Sequence, residues 1–353
     1  MSVSRSTADA ALEPPHRRAF IGNASNFWLH STRTGFDLTR SAKDQSDELT
    51  SPRVRIETTT TPITLSSAKT ALVIIDMQNF FLSPGFGRSR GAGHAAAEKL
   101  LEYAIPAARK AGIQIIWLNW GLSEEDLRTI PPAAKRAFGF EAVPDDEVDG
   151  GGEAGDIPAI SCKREAVAEK PESITADRHN DVRRKERNRL LENGKDGRIY
   201  KGLGAPCGIL ILPDTGKTVD AGRLLMRDTW NAALYAPLTA AYEEGSKLSY
   251  KSDVWIHKDR LSGLWGASTP CQEFLEEQGI KSLLFAGVNT DQCVSGTVTD
   301  AFNKGYDCVL LSDGCGTTSP SYAQQCIEFN VAKTLGFVTS CRQFAEGVEQ
   351  LGL

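Results

Sequence analysis

Short, unbroken apolar runs alternate with helix-like stretches along much of this sequence, and no other feature constrains the fold as strongly. In the run Thr70–Ile75 every residue after the first is apolar, and a helix-like stretch follows at 92–110. An unbroken apolar strand is buried on both faces, and a helix between two such strands makes a βαβ unit. The rhythm recurs, with strands predicted at 113–118, 282–286, 308–311 and 337–340 and helices at 291–304 and 321–334. We therefore predict an α/β fold with three α/β/α layers around a central, mainly parallel sheet.

Two regions depart from this rhythm. Residues 1–55 are polar and irregular, and we predict that they form an N-terminal arm that packs on the body of the protein or on a partner subunit. A second region, at about 140–205, begins with an acidic, glycine-rich stretch and continues at 177–198 with eight Lys or Arg against five acidic residues. We predict that it is a charged, partly mobile insertion, which interrupts an α/β domain at 56–353.

Charge and composition exclude several classes of protein. The 353 residues include 40 Lys and Arg against 45 Asp and Glu, a formal net charge of −5, so nothing attracts the whole chain to nucleic acid or anionic membranes. No apolar run approaches the ~18 residues of a membrane-spanning helix, and the N-terminus lacks the apolar core of a secretory signal. The eight cysteines show no C-x-x-C spacing and are expected to be reduced. We predict a cytoplasmic protein.

Three reactive side chains follow predicted strands. Asp76 closes the run Thr70–Ile75, Lys258 ends a later apolar segment, and Cys293 lies just beyond another. Because sites in parallel sheets form at the carboxyl ends of strands, we predict that the three meet there as a carboxylate base, a cation and a thiol nucleophile. Each also has an ordinary structural explanation, as a helix-capping aspartate, a surface lysine and a buried cysteine.

The local sequence predicts pKa shifts at two of these residues. With Thr290 as the N-cap of the following helix, Cys293 falls at position N3, where free backbone N–H groups lower the pKa of a thiol. Asp76 ends an apolar strand, so burial is expected to raise the pKa of its carboxyl group towards the range of a general base.

Three segments around these residues resemble the isochorismatase-like cysteine hydrolases. Segment 71–81 (ALVIIDMQNFF) is similar to the opening strand of that family, 257–269 (HKDRLSGLWGAST) to its lysine segment, and 287–294 (GVNTDQCV) to its nucleophile motif. The resemblance covers roughly residues 68–135 and 222–345. It implies the Rossmann-like topology of that family.

The resemblance implies a role for each of the matched residues. Asp76 would take the thiol proton, Lys258 would lie as a cation between carboxylate and thiolate, and Cys293 would be the nucleophile. A cis peptide bond is implied between Val288 and Asn289. The backbone N–H groups of Asn289 and Cys293 would then form an oxyanion hole for the substrate.

The substrate pocket is predicted from five side chains. Gln78 and Phe81 match positions that line the pocket of the family. Asn119 and Trp120 belong to a segment, WLNWGLS, that is similar to the second-strand segment of ureide hydrolases, and Trp265 lies in the lysine segment. Trp120 and Trp265 are equally well explained as core aromatic residues.

The same segments bear on the type of reaction. Nicotinamidases of the family bind a metal through an Asp-x-His set after the second strand, and this chain has no such set there, so we predict no metal and no cofactor. Segment 228–235 (DTWNAALY) is similar to ureidoacrylate and related carbamoyl-amide hydrolases. We therefore predict metal-independent cleavage of an amide or ureide C–N bond through a thioester, which releases ammonia or an amine.

Two other functions stay open at this point. Isochorismatases cleave a vinyl ether, and Cys293 does not exclude that activity. A non-catalytic binding protein, with the charged insertion as its partner surface, is the second alternative. For partners, we predict a small-molecule amide or ureide, no nucleic acid and no membrane. The resemblance also implies a homo-oligomer, a dimer or tetramer, and the N-terminal arm suits a contact between subunits.

Overall fold

The computed structural model describes residues 16–41, 51–140 and 202–353, so the insertion predicted at about 140–205 lies almost entirely outside the described residues. The strands are β1 (Arg18–Gly22), β2 (Phe27–Ser31), β3 (Gly35–Asp37), β4 (Arg53–Ile56), β5 (Ile63–Ser66), β6 (Thr70–Ile75), β7 (Gln114–Trp120), β8 (Ile209–Ile211), β9 (Thr218–Asp220), β10 (Val254–Lys258), β11 (Ser282–Val288), β12 (Asp307–Gly316) and β13 (Gly336–Thr339).

Short helices alternate with these strands. They are α1 (Asn79–Leu82), α2 (Ala92–Lys99), α3 (Ile105–Ala111), α4 (Glu124–Thr129), α5 (Pro132–Ala137), α6 (Ala236–Gly245), α7 (Pro270–Glu277), α8 (Ser295–Asn303), α9 (Ser321–Asn330) and α10 (Cys341–Glu349). Within the described parts of the chain, none of the helices has both the length and the apolar character needed to cross a membrane.

Six strands form one fully parallel sheet at the centre of the fold, in the order β10-β7-β6-β11-β12-β13. The inner strands β6, β7 and β11 are buried at every residue, which is why their sequences are almost continuously apolar. The predicted parallel sheet is confirmed.

Helices cover both faces of this sheet. Alternate residues of β6 point to opposite faces: Leu72 and Ile74 pack with α2, α3, α6 and α10, whereas Val73 and Ile75 pack with α7 and α8. The three-layer α/β/α arrangement predicted from the sequence is therefore confirmed.

The helix predicted at 92–110 is interrupted once. Between α2 and α3, residues Leu100–Ala104 form a π-helical turn. Pro106 follows in the first turn of α3, and it has no backbone N–H to close an α-helical hydrogen bond. A widened turn accommodates such a break without exposing the apolar face of the helix, and Leu100 and Ala104 stay fully buried.

The described part of the N-terminal segment, residues 16–41 and 51–55, is not irregular, contrary to expectation. Strands β1, β2 and β3 join β5 and β4 in a second sheet, in the order β1-β2-β3-β5-β4. None of β1, β2 and β3 alternates buried with exposed residues, and this alternation is the signal on which strand prediction depends. The sheet joins residues on both sides of position 55, and the predicted domain boundaries stay a prediction.

Asp307, the first residue of β12, connects the second sheet to the central one. Its carboxylate accepts a hydrogen bond of 2.7 Å from the indole of Trp28 and two of 2.7 Å from the guanidinium of Arg40. The hydroxyl of Ser282 donates a fourth, also at 2.7 Å. A carboxylate that is almost fully buried needs such partners. The segment 16–41 thus packs on the body of its own chain.

Candidate active site

Three side chains meet at the carboxyl edge of the central sheet. Asp76 follows β6, Lys258 ends β10, and Cys293 lies in the first turn after β11. Lys258 Nζ is 3.0 Å from Asp76 Oδ2, and the Cys293 thiol lies close enough to the same carboxylate to lower its pKa. Their exposed fractions are only 0% for Asp76, 4% for Lys258 and 3% for Cys293. The structure brings the three predicted residues together, and their catalytic roles stay predictions.

Asp76 reaches this position through a left-handed backbone conformation, with φ at 52°. Ile75 points to the face of the sheet where Cys293 is buried, so continued alternation would place Asp76 on the opposite face. The strand instead ends at Ile75, and the positive φ turns the carboxylate towards Lys258. Aspartate is one of the few residues besides glycine that adopt this conformation readily.

Neighbouring groups hold the ion pair from several sides. The backbone N–H of Trp120 donates to Asp76 Oδ1 at 3.0 Å. Lys258 Nζ donates to the carbonyl oxygen of Arg260 at 3.0 Å and lies 4.1 Å from the centroid of the Trp120 ring. Such contacts offset the cost of removing both charges from water.

Burial raises the pKa of the Asp76 carboxyl group above its ordinary value. The charge of Lys258 and hydrogen bonds from Cys293, Lys258 and Trp120 oppose this rise. The predicted direction is confirmed. A carboxyl group with a raised pKa can both accept and return a proton more easily near neutral pH.

The helix that carries Cys293 begins differently from the prediction. Its N-cap is Asn289, not Thr290, and Cys293 lies in a π-helical turn, Thr290–Val294, in which Val294 N–H donates to the carbonyl oxygen of Asn289 at 3.2 Å. The peptide bond between Val288 and Asn289 is cis, as the resemblance implied.

Burial raises the pKa of the Cys293 thiol to about 12. Lys258 acts in the opposite direction, and Asp76 raises the pKa further. The predicted lowering is therefore wrong, because removal of the thiolate from water outweighs the favourable position near a helix start. The site holds a neutral thiol beside a carboxylate, so proton transfer to Asp76 is the step that can generate a nucleophile.

Burial has the same effect on Cys271 in α7, where it raises the thiol pKa to about 12. From about pH 9 to 12 the unfolded chain loses a proton that the folded chain keeps, so the free energy of unfolding falls as pH rises. We expect the Cys271→Ala variant to lose stability less steeply, by about 1.4 kcal/mol per pH unit. Urea unfolding of both proteins at several alkaline pH values measures the difference. If the free energy of unfolding falls equally steeply with pH in both proteins, the prediction is contradicted.

Gln78, one of the predicted pocket residues, lies next to this centre, and Phe81, another of them, packs against Phe80. The side-chain amide of Gln78 is fully buried, and Nε2 donates to the carbonyl oxygens of Trp120 at 2.7 Å and Ala232 at 2.6 Å. Its Oε1 accepts from the backbone N–H of Trp120 at 3.1 Å. Gln78 therefore binds the backbone of Trp120. Phe81 is half-buried, and its ring centroid is 4.9 Å from that of Phe80.

The other three predicted pocket residues are dispersed. Trp120 contacts Lys258 directly. Asn119 is fully buried, and strand alternation points it to the opposite face of the sheet. Trp265 is 51% exposed, and its indole N–H donates to Asp259 Oδ1 at 3.0 Å. The substrate-binding roles of all five residues stay predictions.

Sequence reasoning missed two residues that position the centre. The carbonyl oxygen of Arg260 accepts from Lys258, and no side-chain pattern identifies a backbone acceptor. Thr297 donates its hydroxyl to the carbonyl oxygen of Cys293 at 2.7 Å. Here the spacing of four residues in a helix was an available signal, because a threonine hydroxyl commonly bonds the carbonyl one turn earlier.

Groups of His, Cys, Asp and Glu suited to a metal ion are absent from the residues that the structure describes. The expectation of a metal-independent site stays a prediction.

Comparison with known proteins gives a family match over part of the chain. The Isochorismatase domain family matches residues 221–343, which include Lys258 and Cys293. The resemblance predicted from the sequence is thereby confirmed.

Individual relatives extend this match. Ureidoacrylate amidohydrolase RutB of Rhizobium rhizogenes is 24% identical over 293 residues, which cover 82% of this chain and 87% of the relative. RutB of Klebsiella pneumoniae is 32% identical over 127 residues, 36% of this chain and 49% of the relative. Among solved structures, nicotinamidase PncA from Bacillus subtilis aligns with a TM-score of 0.45 and 15% identity, covering 77% of this chain and 99% of that one.

Proposed function

We propose that this chain, which contains an isochorismatase domain, is a cysteine amidohydrolase that cleaves an amide or ureide C–N bond. The observation that carries the proposal is the buried cluster in which Asp76 contacts both Lys258 and the Cys293 thiol. The similarity to ureidoacrylate amidohydrolases supports the substrate class.

The first half of the reaction forms a thioester. The proton of Cys293 Sγ moves to Asp76, and the sulfur attacks the carbonyl carbon of the substrate. Lys258, 3.0 Å from the carboxylate, supplies the positive charge that compensates the thiolate while Asp76 is protonated. The backbone N–H groups of Asn289 and Cys293 donate to the oxygen that becomes negative. Asp76 then protonates the leaving nitrogen, the C–N bond breaks, and ammonia or an amine departs.

The second half regenerates the site. Asp76 takes a proton from water, which attacks the thioester carbon, and the C–S bond breaks. The proton returns to the sulfur, so one water is consumed and one carboxylic or carbamic acid is released. No cofactor takes part in this scheme.

Localisation and assembly belong to the same proposal. We infer a cytoplasmic homo-oligomer, and sedimentation of the purified protein measures its oligomeric state.

The test is the release of ammonia from a panel of primary amides, ureides and carbamoyl compounds. The reaction with a compound that releases ammonia is then quenched in acid, and the mass of the peptide that contains Cys293 is measured. We expect an added acyl group on that peptide during turnover. A labelled peptide elsewhere, or turnover with no acyl-enzyme and full activity without Cys293, would overturn the thioester mechanism.

The name of the matched domain points to a second candidate activity, that of an isochorismatase, which would hydrolyse a vinyl ether. Isochorismate belongs in the same panel, with pyruvate as the product measured. Pyruvate release, with no ammonia from any amide or ureide, would establish this alternative. Inactivity on all substrates would favour a binding protein.

A further inference from the structure

Trp120, the last residue of β7, contacts all three members of the cluster. Its backbone N–H donates to Asp76 Oδ1 at 3.0 Å, and the face of its ring lies 4.1 Å from Lys258 Nζ. Trp120 and Cys293 pack in the same buried cluster, and the indole beside the thiol lowers the pKa of that thiol.

The indole N–H of Trp120 is unusual for a buried donor. The residue is 1% exposed, and Nε1 has no acceptor in hydrogen-bonding geometry among the described residues. A buried donor without a partner costs free energy, and most buried indoles find one. Trp117, on the same strand and fully buried, follows that rule, because its Nε1 donates to Asp253 Oδ2 at 2.9 Å.

We propose that Trp120 is a positioning residue of the catalytic centre, which orients Asp76 and Lys258 and keeps its indole N–H free to stabilise the Cys293 thiolate. This inference rests on the nucleophilic role proposed for Cys293. Each contact of Trp120 has a separate function in this proposal. The backbone N–H fixes one carboxylate oxygen, so the other faces Lys258 and the thiol.

The ring face determines where the ammonium group of Lys258 lies. A cation is attracted to the face of an indole, and the attraction is stronger when both are buried. The remaining direction of the ammonium group is occupied by the carbonyl oxygen of Arg260, at 3.0 Å. Together, the ring face and the carbonyl oxygen hold the ammonium group of Lys258 beside the Asp76 carboxylate, and neither of them removes its positive charge.

Gln78 keeps Trp120 in this position. Its amide accepts from the backbone N–H of Trp120 and donates to the carbonyl oxygen of the same residue, at 3.1 and 2.7 Å. The end of β7 is therefore clamped next to Asp76, and the indole has little freedom to leave the sulfur.

The test is the alkylation rate of Cys293 by iodoacetamide, followed by mass spectrometry of its peptide, in the wild-type protein and in Trp120→Phe. Phenylalanine keeps a ring face for Lys258 and the backbone N–H, but it has no N–H donor. Hydrogen bonds to charged groups are among the stronger ones, so we expect alkylation to slow about tenfold at a given pH near neutrality. With a substrate in hand, kcat is expected to fall and KM to stay nearly unchanged.

Trp117→Phe is the matched control. It also removes one indole N–H from a buried tryptophan of β7, but on the opposite face of the sheet. We expect it to lower stability without slowing the alkylation of Cys293.

A purely structural role for Trp120 gives the opposite result. Loosened packing would expose the thiol, and alkylation in Trp120→Phe would then be as fast as in the wild type or faster, which would overturn the proposal. If Trp120→Phe does not fold, benzothienylalanine at position 120 removes only the N–H and is judged by the same rates. Because alkylation needs no substrate, this test decides the role of Trp120 even if the amidohydrolase activity is not found.

Discussion

The Cys293→Ala variant is expected to lose at least ~10⁴-fold in kcat/KM on any amide or ureide that the wild-type protein hydrolyses, because removal of a nucleophile leaves only the binding and oxyanion contributions. The methyl group of alanine cannot form the thioester, and among the residues that the structure describes no other thiol acts on the Asp76 carboxylate. Ammonia release under saturating and limiting substrate measures the loss. The buried position also predicts that the variant folds, since only one sulfur atom is removed.

Cys271→Ala is the control for this experiment. Cys271 is 2% exposed, comparable with 3% for Cys293, and its thiol pKa is likewise raised by burial to about 12. It lies in α7, where the pKa of its thiol responds to burial alone and not to the charges of Asp76 or Lys258. The variant should keep full activity. Retention of wild-type activity in Cys293→Ala would disprove the proposed mechanism.

The Lys258→Met variant is expected to lose both activity and about 3–5 kcal/mol of unfolding free energy. The substitution leaves the Asp76 carboxylate buried without its counter-charge, and this is the situation in which removing one partner of a buried ion pair is most costly. Urea unfolding near neutral pH measures the stability. Lys99→Met, which breaks an ion pair with Glu102 at the surface, is the control and should change stability little.

Lowering the pH should partly restore the stability of the Lys258→Met variant. The pKa of Asp76 is already raised in the folded protein, and loss of the neighbouring cation raises it further. As pH falls through this raised value, the folded state binds a proton before the unfolded state does, so the free energy of unfolding increases. The same rescue should come at neutral pH from Asp76→Asn combined with Lys258→Met, which removes both charges. A double variant as unstable as Lys258→Met, or one that recovers activity, would contradict this account of the ion pair.

The central sheet was predictable because a strand that is buried on both faces has an almost continuously apolar sequence. Every residue of β6, β7 and β11 is buried, and these strands appear as apolar runs that end at or near the candidate residues. The strands at 18–37 have no comparable apolar runs. They depend on contacts such as that between Trp28 and Asp307, 279 positions apart, which no window of local sequence contains.

Some features of the candidate site were likewise predictable from the sequence, and others were not. Asp76, Lys258 and Cys293 were identified from their positions after apolar runs and from motifs, because parallel strands bring their carboxyl ends to one edge. The sequence could not show that burial raises the pKa of Cys293, since the extent of burial depends on helices and loops distant in the chain. It also could not show that Asn119 and Trp120 point to opposite faces, because this requires knowing where β7 ends.

The sequence by itself thus determined the strands of the central sheet, the edge at which the site lies and the three groups that meet there, because apolar runs and strand ends are local properties of the chain. The tertiary structure alone decided the left-handed turn at Asp76, the raised pKa of the thiol and the placement of Trp120 against Lys258. These depend on distances between residues on different strands and on how much water is excluded, and both arise only when the sheet and its helices pack together.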